Sequence, residues 1–179
     1  MNRIHSIAQR GASLIESTVV LAIVSTVVGT IAPSFTSLRD RHHLEGAAGQ
    51  LESELQWARS EAVARNEAVR FSFEAQGRGS CYVIHTGGPR DCQCAASEVP
   101  VCAAGVQVLR SWRDTNDARV TFQSNSSSFA FNPRLGTVTP TATLELRNRQ
   151  SDTIRLVVNI MGRVRACTPN GKLPGYAVC

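Results

Sequence analysis

The sequence predicts an α+β fold, a long amino-terminal helix whose second half packs on an antiparallel β-sheet. Three observations carry this. Residues 12–32 are mostly apolar and carry a single charge. From Leu44 to Ala62 they recur at three- and four-residue steps, as one buried helix face requires. From Val69 onward, short alternating segments are separated by Gly, Pro, Asn, Asp and Ser, which is the pattern of half-buried strands.

The chain opens on MNRIHSIAQRG, with Arg3, Arg10 and no acid. The next 21 residues, ASLIESTVVLAIVSTVVGTIA, carry one charge, Glu16. A helix of that length spans about 30 Å, enough for a bilayer. The basic flank places the amino end in the cytoplasm. An ordinary cleaved signal fits poorly, because its apolar core is about 7 to 15 residues. Its small-residue site, GTIA, also runs straight into Pro33. A carboxylate in an apolar span costs about 3 kcal/mol, which makes Glu16 a functional candidate. Pro33 removes one helix hydrogen bond and permits a kink.

Beyond Pro33 the helix continues to about residue 66. Leu44, Ala48, Leu51, Leu55, Ala58 and Ala62 form its apolar stripe, and Glu61 and Arg65 an outward i,i+4 pair. Seven strands follow, in VRFSFEA, CYVIHT, VQVLRSW, RVTFQ, SFAFN, TLELRN and TIRLVVNI.

Six cysteines in a chain of 179 residues indicate an oxidising compartment. A metal site is disfavoured by the C-x-C spacing of Cys92 and Cys94 and the absence of a C-x2-C pair. Those two are too close to pair with each other. Cys81 and Cys102 therefore each bond one of them, in either order, and Cys167 and Cys179 close the tail.

Charge is uneven. Residues 34–67 carry four arginines and six acids, whereas residues 145–179 carry six basic groups and two acids. Lys172 is the only lysine. Arginine suits two-pronged contact with phosphate, so the tail points to an anionic partner. In the last strand Ile154, Leu156, Val158 and Ile160 take the core face, and Arg155 the opposite one. If alternation continues through Gly162, Arg163 and Arg165 share Arg155's face and Val164 points inward. The preceding strand adds Arg147 and Arg149. A bulge at Gly162 would shift that phase. Gly162 leaves space beside the main chain for a ligand backbone, and a closed tail loop holds Lys172 near the arginines. By itself an exposed R-x-R is more often a solvated strand face. Catalytic motifs are absent: no G-x-S-x-G, no Gly-rich phosphate loop, no His and carboxylate beside a nucleophile. No cofactor or metal is expected.

The stretch RGASLIE resembles the signal of type IV pilins and pseudopilins. The resemblance implies cleavage by a prepilin peptidase after Gly11, a methylated new terminus at Ala12, and Glu16 as the glutamate that a neighbouring subunit neutralises in a filament. The family usually has Phe where this chain has Ala12. LQWARSEAVARNEAV, FNPRLGTV and GRVRACTPNGKLPGYAVC narrow the likeness to the FimT/GspH type. This implies a leader over 1–11, a transmembrane and filament-core segment over 12–33, and a periplasmic or extracellular domain over 34–179. FimT-like pilins of DNA uptake carry G-R-x-R in this position, and Gly162, Arg163 and Arg165 match it. The expected function is a minor pilin, held in the inner membrane and then in the pilus. There it joins other pilins and binds double-stranded DNA through Gly162, Arg163, Arg165, Lys172, Arg155, Arg147 and Arg149. A structural minor pilin or type II secretion pseudopilin, or a surface adhesin, is the alternative.

Overall fold

The computed structural model describes residues 13–76, 79–94, 99–113 and 119–179, without the side chains of 30–34, 76 and 79. Gly11 and Ala12 lie outside the described residues. Helix α1 covers Leu14–Arg65. The chain divides into two units, with the break after Leu38.

In the first unit the residues whose side chains are described are exposed, the apolar Leu14, Ile15, Leu21 and Ile23 among them. Among the described residues no helix is long and apolar enough to cross a membrane. The expected span over 12–32 begins one residue before the described ones, and the side chains of 30–32 are not described.

The second unit, Arg39–Cys179, holds every buried core residue among those described. The predicted stripe is fully realised: Leu44, Ala48, Leu51, Leu55, Ala58 and Ala62 are all buried. The polar faces of the same helix carry the Arg41–Glu45 and Arg65–Glu61 pairs. The helix stops at Asn66, whose positive φ of 51° ends the helical run.

Among the described residues twelve strands follow. One antiparallel sheet joins β1 (Val69–Gln76), β2 (Gly79–Thr86), β5 (Val108–Arg113), β7 (Ser128–Phe131) and β8 (Val138–Thr139) in the order β5-β2-β1-β7-β8. The other joins β6 (Val120–Ser124), β9 (Ala142–Asn148), β10 (Thr153–Val158), β11 (Val164–Thr168) and β12 (Ala177–Val178) in the order β12-β11-β10-β9-β6. The pair β3 (Cys92–Gln93) and β4 (Val101–Cys102) forms a small ribbon. All seven predicted strands are present.

The core lies between the helix stripe and the inward residues of both sheets, with Phe71, Tyr82, Phe129 and Phe131 at its aromatic centre. Phe71 stacks on Tyr82 and on Phe129, each at 5.0 Å between centroids. The Tyr82 hydroxyl donates to Glu54 Oε2 on the helix at 2.7 Å, giving both buried polar groups a partner. The three disulfides are Cys81–Cys94, Cys92–Cys102 and Cys167–Cys179, which settles the order left open in the first cluster. Glu74 lies beside Cys81 and Cys94, but those sulfurs are bonded to each other and are not thiolate ligands.

Candidate functional site

The carboxy-terminal sheet is set by alternation. On β10, Ile154, Leu156 and Val158 are fully buried, so Arg155 and Val157 face outward. The strand ends at Val158. A tight turn follows, in which Asn159 N donates to Arg163 O at 3.1 Å and Gly162 N to Asn159 O at 2.9 Å. The Asn159 side chain caps the turn, its Oδ1 accepting from Arg163 N at 3.0 Å. Strand β11 then returns antiparallel, with Val158 opposite Val164 and Val157 opposite Arg165.

This turn leaves the phase intact. Val164 is buried between Arg163 and Arg165, and both arginines are exposed. Ile160, expected on the core face, is instead 63% exposed. It belongs to the turn, where strand alternation no longer applies.

Gly162 also differs from expectation. It is buried, with φ of +71°, and a β-carbon there would sit 2.1 Å from the carbonyl oxygen of Gly136. The space beside it is filled by the chain itself, not left for a ligand backbone. The side chain of Arg59 crosses the same point and donates from Nε to Gly136 O at 3.0 Å.

The strand register divides the basic residues into groups. Arg155 lies opposite Glu145 on β9, and its Nε donates to Glu145 Oε2 at 2.8 Å. Arg147 donates to the other oxygen of Glu145 at 2.9 Å. Those two hydrogen bonds, Arg155's the larger influence, hold the Glu145 carboxyl below its ordinary range. Arg147 and Arg155 are thus already paired. Arg149 sits in the β9–β10 turn, at the end of β10 away from Arg163. Five residue steps along a strand make that separation roughly 17 Å.

The tail loop leaves β11 at Thr168, at the same distant end. The register therefore starts it at the Arg149 end of the sheet, five residue positions from Arg163. Strand β12 pairs parallel with β11, and Cys179 N donates to Thr168 O at 3.2 Å. Leu173 is buried in the core, and Tyr176 is packed against it, so Tyr176 anchors the loop. Burial raises the Tyr176 pKa above its ordinary value. Arg41 on the helix donates to Pro174 O at 3.3 Å. Lys172 remains exposed on the loop.

Two arginines that the sequence did not single out join Arg163. Arg59 of the helix and Arg134 of the β7–β8 turn line one groove with it. Among the described residues, neither they nor Arg163 and Arg165 form an ion pair with an acid. The close approach of Gly136 and Gly162, which brings the two turns together, is a contact in space that the sequence does not announce.

A family model described as "Type II transport protein GspH" matches residues 47–162. Among solved structures, the type IV minor pilin FimU of Pseudomonas aeruginosa is similar, at 23% identity and a TM-score of 0.50, covering 76% of this chain and 96% of that one. A second crystal form of FimU covers 74% of this chain at 21% identity and a TM-score of 0.48. The minor pseudopilin EpsH of the Vibrio cholerae type 2 secretion system covers 70% of this chain and 96% of its own at 13% identity, with a TM-score of 0.46. No curated protein matches the chain.

Proposed function

Because this chain belongs to the GspH family, the minor pilins and pseudopilins of the FimT/GspH kind, we propose that it is a minor type IV pilin that binds double-stranded DNA for uptake in natural transformation. In this reading prepilin peptidase cuts after Gly11, and Ala12 becomes the methylated terminus. The apolar run holds the precursor in the inner membrane, with the globular domain in the periplasm. Glu16 then pairs with a neighbouring pilin's terminus in the filament.

The observation that carries the DNA reading is a difference in pairing. Arg147 and Arg155 share one carboxylate, whereas Arg163 and Arg165 project from either side of buried Val164 with no acid paired to them among the described residues. Guanidinium groups held on an exposed strand and on the turn that leads into it suit phosphate oxygens. Such contacts position a duplex without reading its bases, so binding is independent of sequence and weakens with salt.

A second reading, a pseudopilin that primes assembly without DNA, has one observation in its favour. The family match stops at Gly162, before both arginines and the tail.

The test is a gel shift with the full-length protein in nonionic detergent. Wild type binds duplex DNA, and changing both Arg163 and Arg165 to Ala lowers the salt slope by about one for each phosphate no longer neutralised. A double variant that binds like wild type refutes the arginine site. If wild type does not bind either, the assembly reading replaces this one.

A further inference from the structure

Three arginines from three separate elements line one open groove of about 670 Å³: Arg59 from α1, Arg134 from the β7–β8 turn and Arg163 from the β10–β11 turn. Val63, Leu135 and Val164 supply its apolar lining. The groove is held in shape from beneath. Gly162 packs on the Gly136 carbonyl, and Arg59 Nε bonds to the same oxygen. The two turns are thus packed directly against each other.

The charges in this groove are unbalanced. Arg134 and Arg163 use their main-chain nitrogens on Asn132 Oδ1 and Asn159 Oδ1, and neither guanidinium is hydrogen-bonded to another of the described residues. Arg59 is half-buried and keeps its terminal nitrogens beyond the one Nε contact. No acid pairs with any of the three among the described residues, although elsewhere Arg41, Arg65, Arg147 and Arg155 each have a glutamate. Like charges brought together beside apolar surface raise one another's cost, and an anion between them removes it.

The apolar lining distinguishes this site from a plain anion patch. Leu135 is 72% exposed and Val63 49% exposed, beside the cations. A sugar–phosphate backbone offers both matching surfaces, phosphate oxygens for the guanidinium groups and deoxyribose carbons for the aliphatic side chains. We propose that this groove seats the backbone of one DNA strand, extending the footprint from Arg163 and Arg165 across Arg134 to Arg59 on the helix. The inference rests on the DNA-binding reading above and adds to it a second wall of contacts outside the carboxy-terminal strand.

Arg134→Ala is the informative variant, because its side chain is exposed and the fold does not depend on it. Arg90→Ala removes the same charge from an exposed site that shares no lining residue with the groove. Fluorescence anisotropy with a labelled duplex, across a salt series, compares both with wild type in the full-length protein. The expected result is a salt slope lower by about one for Arg134→Ala, and unchanged for Arg90→Ala, with melting unaffected in both. If Arg134→Ala behaves as Arg90→Ala while the Arg163/Arg165 double variant still has the lower slope, the groove proposal is overturned and the parent reading stands. If wild type does not bind DNA, the parent reading fails and this one with it. If Arg134→Ala instead blocks pilus assembly with an unchanged slope, the groove serves an acidic segment of a neighbouring subunit, which also overturns the proposal.

Discussion

Gly162 rests its Cα against the main-chain oxygen of Gly136, so close that a β-carbon at position 162 would lie 2.1 Å from it. This contact joins the β10–β11 turn to the β7–β8 turn, and it does so beside the exposed arginines. The backbone at Gly162 is also left-handed, with φ of +71°. Two separate reasons therefore require glycine there.

Gly162→Ala is expected to destabilise the protein by about 2 to 4 kcal/mol, combining a left-handed backbone with a steric clash that has to be relieved by moving main chain. Urea denaturation measures it. DNA binding should fall as well, because displacement of the turn moves Arg163 away from Arg134. A variant as stable as wild type would show that the two turns are not fastened at this point.

The helix stripe, the seven main strands and the inward and outward sides of β9, β10 and β11 were legible in the sequence, because burial on one face imposes a simple period. Cys167–Cys179 was legible too, as the last two cysteines of the chain. Ile160 was misread because alternation was carried past the end of a strand, although Asn159 and Gly162 are turn residues that could have marked Val158 as its last. Gly162 was misread because its neighbour, Gly136, is distant in the chain. Arg59 was overlooked for the same reason: its partner lies 77 residues away. Long-range juxtaposition leaves no local period, so the groove became visible only in three dimensions.

The tail loop is tied by Cys167–Cys179 and seated by Leu173. Replacing both cysteines by Ser is expected to cost about 2 to 3 kcal/mol, from the entropy of an unclosed loop of this length. Yet β11 keeps its pairing with β10 from Val164 to Cys167, and this pairing positions Arg165. The expected outcome is a lower melting temperature with most DNA affinity retained at a temperature where the variant is folded. Loss of all binding under those conditions would transfer the main DNA contact to the Lys172 loop.

Glu145 gives the remaining prediction, because under the DNA-binding proposal it couples acid stability to binding. Its carboxyl is held below the ordinary range by Arg155 first and Arg147 second. A carboxyl depressed in the folded state contributes stability that is fully present above its unfolded value of about 4.3. That contribution is lost as pH falls through the lower folded value. Glu145→Gln removes it, so the variant should be less stable by about 1 kcal/mol at neutral pH. Its stability should also fall less steeply than that of wild type below about pH 5. The same change releases Arg147 and Arg155 on the face they share with Arg165. If DNA lies across that face, the salt slope steepens by about one. Denaturation at several pH values reads the first effect and anisotropy across salt the second. An unchanged slope would confine the duplex to the Arg163 end of the sheet, leaving Arg147 and Arg155 to hold β9 and β10 together.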